Sequence, residues 1–140
     1  MDIGDFVNTN LDDATKYKLL TNHIKPDHTY KFPSREQHGC NRALKHHWLT
    51  SYSFLVYSKK YDSVYCLPCT LFDKAEIYQR SIFAKNTGFS SWFKIKEKLL
   101  EHINCEGIDA EKNKTCKHSR MMADAEDLIQ RFKKPSMTIS

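Results

Sequence analysis

Residues 52–72 read YSFLVYSKKYDSVYCLPCTLF. Two runs in this stretch, 54–57 and 63–66, are rich in β-branched and aromatic side chains, and the residues between them are polar. This pattern predicts a β-hairpin whose second strand ends on Cys66. An irregular segment or a single helical turn is expected after Cys69.

The cysteines of this stretch predict a zinc site. Cys66 and Cys69 are separated by two residues, a spacing that lets two thiolates occupy adjacent corners of a tetrahedron around zinc. A closed structural site needs two more ligands. The natural suppliers are His102, at the end of one predicted helix, and His118, near the start of the next.

Two other cysteines compete with these histidines. Cys105 and Cys116 lie between them in the sequence, and a thiolate binds zinc at least as well as an imidazole does. A site of three cysteines and one histidine, or of four cysteines, therefore remains consistent with the spacing.

Other chemistry fits the CxxC pair less well. The simplest alternative is a pair of buried thiols without a metal. A redox dithiol needs a βαβ context that a hairpin does not supply. A zinc deaminase needs an H-x-E element and a proline directly before its first cysteine, whereas here the proline lies inside the pair.

Two further classes of zinc protein fit poorly. The gap from Cys69 to His102 is far longer than the roughly 12 residues of a C2H2 finger, so the chain is not a simple finger of that kind. A metalloenzyme would need an open coordination position and a nearby general base, which the sequence does not offer convincingly.

Length and composition limit the class of protein. The chain has 140 residues and a formal net charge of +5, from 22 Lys plus Arg and 17 Asp plus Glu, which suits one domain. No run approaches roughly 18 apolar residues, and the first residues lack the features of a secretory signal. Five cysteines, an odd count, favour reduced thiols or metal ligands over disulfides. We therefore expect an intracellular protein that does not span a membrane.

Basic residues are concentrated in one part of the chain. Residues 31–60 contain six lysines and arginines and one acid, a net charge of +5. Such a stretch attracts a polyanion, although a solvated protein surface is the alternative. The residues predicted to contact DNA phosphates are Arg42, Lys45, His46, Lys59 and Lys60.

Three helices are predicted around the hairpin. The first starts after Thr9 or Asn10 and ends before Pro26, because proline lacks the backbone donor. The second starts at 90–91, and the third spans about 115–132. The residues predicted to face the core are Leu11, Tyr17, Leu20 and Ile24 in the first helix, Trp92, Ile95, Leu99 and Ile103 in the second, and Met121 or Met122, Ala125, Ile129 and Phe132 in the third.

The remaining segments complete the expected fold. Residues 26–33 predict an extended connector, and 39–48 a loop that leads into a short helix. Most aromatic side chains are expected in the core around the metal, with Tyr61 at the hairpin tip as the exposed exception. The predicted fold class is α+β, a small zinc-stabilised domain in which a β-hairpin that carries a CxxC knuckle packs against helices.

An ordered series of motifs runs through the chain. They are Asp2-Ile3-Gly4, Phe32-Pro33, RALKHHWL at 42–49, YSFLVYS at 52–58, CLPCTLF at 66–72, Phe83, and GFSSW at 88–92. Over roughly residues 1–135 this series resembles the TTF-type zinc finger, the N-terminal module of hAT-superfamily transposases and of related zinc-finger MYM-type proteins. The resemblance implies a helix and lead-in segment at 1–33, the zinc finger at 34–132 and the start of a linker at 133–140.

The same resemblance bears on the ligands. In the family, the tryptophan helix is followed by a histidine, a serine three residues later and a second histidine three residues beyond. Here an insertion follows His102, and the stretch from Thr115 to His118 resembles the second half of that pattern. Cys105 stands at the serine position, so the fourth ligand is either His118, which we favour, or one of the two cysteines.

The resemblance also implies a function. It predicts a nuclear, zinc-dependent module that binds double-stranded transposon DNA as the targeting part of a transposase-like protein. No enzymatic activity is expected, since the acidic catalytic triad of these transposases lies much further along the chain, and downstream transposase domains are possible partners. The alternative is a zinc-stabilised protein-interaction module of a domesticated transposase, which the low net charge on both sides of 31–60 allows.

Overall fold

The computed structural model describes residues 2–7, 9–22, 25–85, 87–104 and 117–133. Within these ranges the chain is α+β, with five α-helices and two antiparallel β-hairpins. In chain order the elements are α1 (Asp13–Asn22), β1 (Arg35–Gln37), β2 (Cys40–Arg42), α2 (His46–Ser51), β3 (Leu55–Ser58), β4 (Ser63–Cys66), α3 (Leu67–Phe72), α4 (Ile95–Asn104) and α5 (Lys117–Lys133). Short 3₁₀ helices lie at Ile3–Phe6, Ile77–Gln79 and Trp92–Lys94.

The hairpin of β3 and β4 occupies the centre of the fold and confirms the hairpin predicted from 52–72. Leu55 pairs with Cys66 and Ser58 with Ser63, and every residue of both strands is buried. Burial on both faces explains why these strands are short apolar runs without polar alternation. After Cys66 the chain continues directly into α3, which is longer than the single turn expected after Cys69.

Two hydrophobic clusters lie on opposite faces of this hairpin, because successive side chains of a strand point to opposite sides. The first cluster includes Leu44, Leu49, Leu55, Tyr57, Val64, Cys66, Cys69, Phe83, Phe89, Trp92, Ile95, Leu99 and Met121. The second contains Ile3, Leu19, Val56, Tyr65, Leu67 and Leu71. Phe83, Phe89 and Trp92 are buried in the first cluster together with Cys66 and Cys69, which agrees with the prediction that aromatic side chains form the core beside the cysteines.

The hairpin tip is covered by the N-terminal segment. The Asp2 carboxylate accepts hydrogen bonds from Ser58 Oγ at 2.7 Å and from the backbone N–H of Lys59 at 3.0 Å. The ring of Tyr61 lies so close to Gly4 that a Cβ there would be 2.6 Å from it. Tyr61 is therefore half-buried, and the prediction that it is the exposed aromatic residue is wrong.

The buried residues of the helices differ in detail from those predicted. Trp92, Ile95 and Leu99 are buried, as predicted. On α5 the buried apolar residues are Met121, Ala125 and Leu128, whereas Phe132 is 39% exposed and stacks on Tyr17 instead. The cap of α1 is Asp12, whose carboxylate accepts a hydrogen bond from Thr15 N–H at 2.9 Å, so the cap lies two residues after Asn10 and three after Thr9, the predicted caps. Ile24 lies outside the described residues.

The stretch before α2 contains a hairpin that the sequence did not predict. Strands β1 and β2 pair through a turn at His38 and Gly39, where both residues have positive φ. Such turns usually contain Asn-Gly or Asp-Gly. The His-Gly pair is not one of these common turn sequences, so the hairpin was not predicted. The connector at 26–33 is not extended throughout as predicted, because a turn is closed by the Tyr30 N–H, which donates to the carbonyl of Asp27 at 2.8 Å. The Phe32 ring, near the end of this connector, packs on Tyr57.

None of the helices in the described ranges combines the length and apolar character needed to cross a bilayer.

Candidate metal centre

Four side chains from separate parts of the chain meet beside the hairpin. The ligand atoms of Cys66, Cys69, His102 and His118 all lie within 4.8 Å of one another. Both cysteines and His118 are buried, and His102 is half-buried. The cluster could hold a metal ion, as the sequence spacing predicted.

The two cysteines are positioned by the junction of β4 and α3. Cys66 is the last residue of β4, and its backbone N–H donates to the carbonyl of Phe83 at 2.8 Å. Its own carbonyl accepts from Thr70 Oγ1 at 2.9 Å. Cys69 lies in the first turn of α3, which follows without an intervening loop. The backbone of both cysteines is therefore held by hydrogen bonds independent of any metal.

The two histidines come from the facing ends of two helices. His102 lies in the last turn of α4, and His118 is the second residue of α5. Their ring centroids are 4.4 Å apart. The Phe54 ring lies 4.6 Å from His118, and the Phe83 ring 5.2 Å from His102. An apolar shell thus surrounds the donors, which limits solvent access to a bound ion.

The donor atoms are arranged in two sulfur–nitrogen pairs. Cys66 Sγ lies 3.6 Å from His118 Nδ1, and Cys69 Sγ lies 3.6 Å from His102 Nε2. Cys69 Sγ is also 3.9 Å from His118 Nδ1. His118 therefore presents Nδ1 to the cluster, whereas His102 presents Nε2.

The two thiols have opposite pKa shifts. Burial raises the pKa of Cys66 well above its usual range, and the adjacent Cys69 sulfur acts in the same direction. The hydrogen bond with Cys66 lowers the pKa of Cys69 to about 4, despite desolvation, and contacts with His102 and His118 add to this effect. A metal ion bound here would need both sulfurs as thiolates, so its binding would release protons from the pair.

A serine outside the cluster contacts one of the ligands. Ser81 Oγ lies 3.2 Å from His102 Nδ1 and accepts a hydrogen bond from the backbone N–H of Phe83 at 3.1 Å. Sequence reasoning missed Ser81, because a lone serine distant in sequence from its histidine carries no pattern.

The sequence offered two rival ligands for this site. Cys105 and Cys116 lie outside the described residues. Cys40 is an exposed, free cysteine on β2.

The five residues predicted to contact DNA lie in different environments. His46 Nε2 lies 2.8 Å from the carbonyl of Tyr30, so this ring is engaged within the fold. Lys60 Nζ pairs with Asp5 at 2.6 Å, and Lys59 Nζ lies 4.6 Å from the centre of the Tyr30 ring.

Arg42 and Lys45 differ from these three residues. They flank the short segment between β2 and α2, and neither forms an ion pair within the described ranges. Lys45 is exposed, and Arg42 Nε donates to the carbonyl of Gln37 at 3.2 Å.

Comparisons of the chain with family models, with curated proteins and with solved structures found no match.

Proposed function

We propose that this protein is a zinc-dependent DNA-binding module, the N-terminal targeting part of a hAT transposase-like protein that acts in the nucleus. The observation that carries the proposal is the convergence of two cysteines and two histidines from β4, α3, α4 and α5 in one buried cluster. The resemblance of the ordered motifs to the TTF-type finger is the reason for proposing DNA as the partner.

The donor set favours zinc. Two sulfurs and two imidazole nitrogens are the ligands of structural zinc sites, whereas magnesium and calcium prefer oxygen. With Zn–S at about 2.3 Å and Zn–N at about 2.0 Å, a tetrahedral ion separates sulfur from nitrogen by about 3.5 Å. The two closest sulfur–nitrogen distances are both 3.6 Å. Four protein donors leave no open coordination position, which supports a structural rather than a catalytic role.

In this proposal the CxxC knuckle at the end of the hairpin anchors α4 and α5. The ion would join the ends of both helices to β4, so its binding energy is part of the folding energy. The cations that face DNA are Arg42 and Lys45, which have no acidic partner in the described ranges.

The metal part of the proposal is tested by native mass spectrometry of the purified chain. We expect one zinc per chain, lost together with the fold in Cys66→Ser. The matched control is Cys40→Ser, which removes an exposed thiol outside the cluster and should retain the ion. A chain that contains no metal, or a Cys66→Ser variant with unchanged zinc content and melting, would contradict the site.

The DNA part is tested by fluorescence anisotropy with zinc-loaded protein and duplex DNA at two salt concentrations. Binding should weaken steeply with salt, because each neutralised phosphate releases counterions. Absence of binding to both duplex and single-stranded DNA at low salt would contradict the DNA function and favour the protein-interaction alternative.

A further inference from the structure

A groove lies between the first hairpin and the start of α4. Its volume is about 390 Å³, within the range of small-molecule sites. Residues from two stretches that are distant in sequence, 41–48 and 92–96, line it. They are Asn41, Arg42, Ala43, Leu44, Lys45, His47, Trp48, Trp92, Phe93, Ile95 and Lys96.

The charge of this groove is of one sign. Arg42, Lys45 and Lys96 line it, and none of the described lining residues carries a carboxylate. Neither Lys45 nor Lys96 forms a side-chain hydrogen bond or ion pair within the described ranges, and both are exposed. Three cations without a protein counterion favour an anionic ligand.

Aromatic surface accompanies the charge. Phe93 is 38% exposed and Trp48 is half-buried, so part of each ring is accessible. Trp92 is 6% exposed, and its Nε1–H has no hydrogen-bond acceptor among the described residues. A buried donor without an acceptor is uncommon, and a ligand atom is one way to satisfy it.

The two walls of the groove are held together by Gln37 and His38 of the first hairpin. Gln37 Nε2 donates to the carbonyl of Ser90 at 2.9 Å, and Gln37 Oε1 accepts from the backbone N–H of Phe93 at 3.4 Å. The His38 ring packs against Phe93 with centroids 4.1 Å apart. These contacts fix the spacing of the walls before any ligand binds, which lowers the ordering cost of binding.

We propose that this groove binds a nucleotide of an unpaired DNA strand, with its phosphate on Arg42, Lys45 and Lys96 and its base on Phe93. The inference rests on the proposed DNA function and names the form of DNA that this site takes. Phosphate and an exposed base face are what a cationic, aromatic groove recognises, and a duplex offers only the first of these along its length.

The test compares two fluorescent strands of equal length, oligodeoxythymidine and an abasic deoxyribose-phosphate strand, by anisotropy with the zinc-loaded protein. Oligodeoxythymidine should bind at least about fivefold more tightly, because each stacked base adds to the phosphate contacts. Phe93→Ala should remove most of this difference, as should Phe93→Leu, which keeps apolar volume but not the ring. Both variants should fold, since Phe93 is partly exposed.

Charge is tested separately. Lys45→Ala with Lys96→Ala should weaken binding of both strands by tenfold or more and reduce the salt dependence. The matched control is Lys18→Ala with Lys133→Ala, two exposed lysines on α1 and α5 that do not line the groove and should change binding little.

The outcomes separate the two proposals. A protein that binds neither duplex nor single-stranded DNA overturns the DNA function and the groove with it. A protein that binds DNA, but equally with thymidine and abasic strands, overturns the groove alone. Equal DNA affinities for the Lys45→Ala, Lys96→Ala variant and for the Lys18→Ala, Lys133→Ala control would also overturn the groove alone.

Discussion

Ser81 Oγ lies 3.2 Å from Nδ1 of His102, on the side of the imidazole opposite the atom that faces Cys69. The serine oxygen also accepts from the Phe83 backbone N–H, so it is held in place. When Nδ1–H donates to Ser81, Nε2 carries the lone pair that a metal ion requires. Ser81 is thus a positioning residue for one ligand of the proposed zinc site.

Replacing Ser81 should therefore weaken metal binding. We expect Ser81→Ala to lower zinc affinity by about 10–100-fold, the usual effect of losing the partner of a ligating histidine. Competition with a chromophoric chelator measures this. Ser81→Thr keeps the hydroxyl and should retain most of the affinity, and Ser51→Ala, at an exposed serine, should have no effect. Equal affinities for Ser81→Ala and the wild type would exclude the positioning role.

The structure ranks the cations predicted to contact DNA. Lys60 is paired with Asp5, and Lys59 lies over the Tyr30 ring, whereas Arg42 and Lys45 line the cationic groove. Arg42→Ala with Lys45→Ala should therefore weaken DNA binding by tenfold or more and Lys59→Ala with Lys60→Ala by less, in anisotropy at one fixed salt concentration. The reverse order would place the DNA at the hairpin tip.

Two glycines with positive φ should differ in their tolerance of a side chain. Gly88 has φ +74°, and a Cβ there would lie 2.6 Å from Ser63 Oγ and 2.9 Å from the Tyr65 ring. Gly39 has φ +77° but open space around it. Gly39→Ala should cost about 1 kcal/mol of unfolding free energy, from backbone strain alone. Gly88→Ala should cost about 1–3 kcal/mol more, because its neighbours are buried. Chemical denaturation of the zinc-loaded variants measures both, and equal costs would contradict this packing.

The hydrogen bonds that the Asp2 carboxylate accepts at the hairpin tip form a cap, which should stabilise the fold over a defined pH range. Partial burial opposes ionisation, but hydrogen bonds from Ser58 and from the backbone of Gly4, Lys60 and Lys59 lower the pKa of Asp2. A carboxyl with a lowered pKa contributes stability above its unfolded value of 3.8 and loses it as the pH falls through the folded value.

Asp2→Ala should accordingly lower stability by about 1 kcal/mol, the usual cost of a lost cap, and by the same amount at pH 5 and pH 8. Thermal unfolding at both pH values provides the comparison. Asp124→Ala, which removes an exposed carboxylate on α5, is the control for net charge and should have little effect. If the loss of stability differed markedly between the two pH values, a second titrating group would have to be coupled to the Asp2 carboxylate.

Local patterns predicted the central part of the fold. The hairpin at 52–72 and the buried stripe of Trp92, Ile95 and Leu99 follow from β-propensity and helical periodicity, which depend on near neighbours. The turn at His38 and Gly39 was missed, because its residue pair is not the common signal for such a turn. On α5 the periodicity admitted two adjacent faces, and packing against α3 and α1 selected the one with Leu128.

The sequence by itself identified Cys66 and Cys69 as candidate metal ligands, because their type and spacing are local properties. It left the remaining ligands open among two histidines and two cysteines. Only the tertiary structure brought the ends of α4 and α5 to the hairpin, with His102 and His118 beside the thiols and Ser81 behind one ring. The structure alone also placed Lys96 in one groove with Arg42 and Lys45. Packing of distant segments decides such contacts, and no spacing along the chain encodes them.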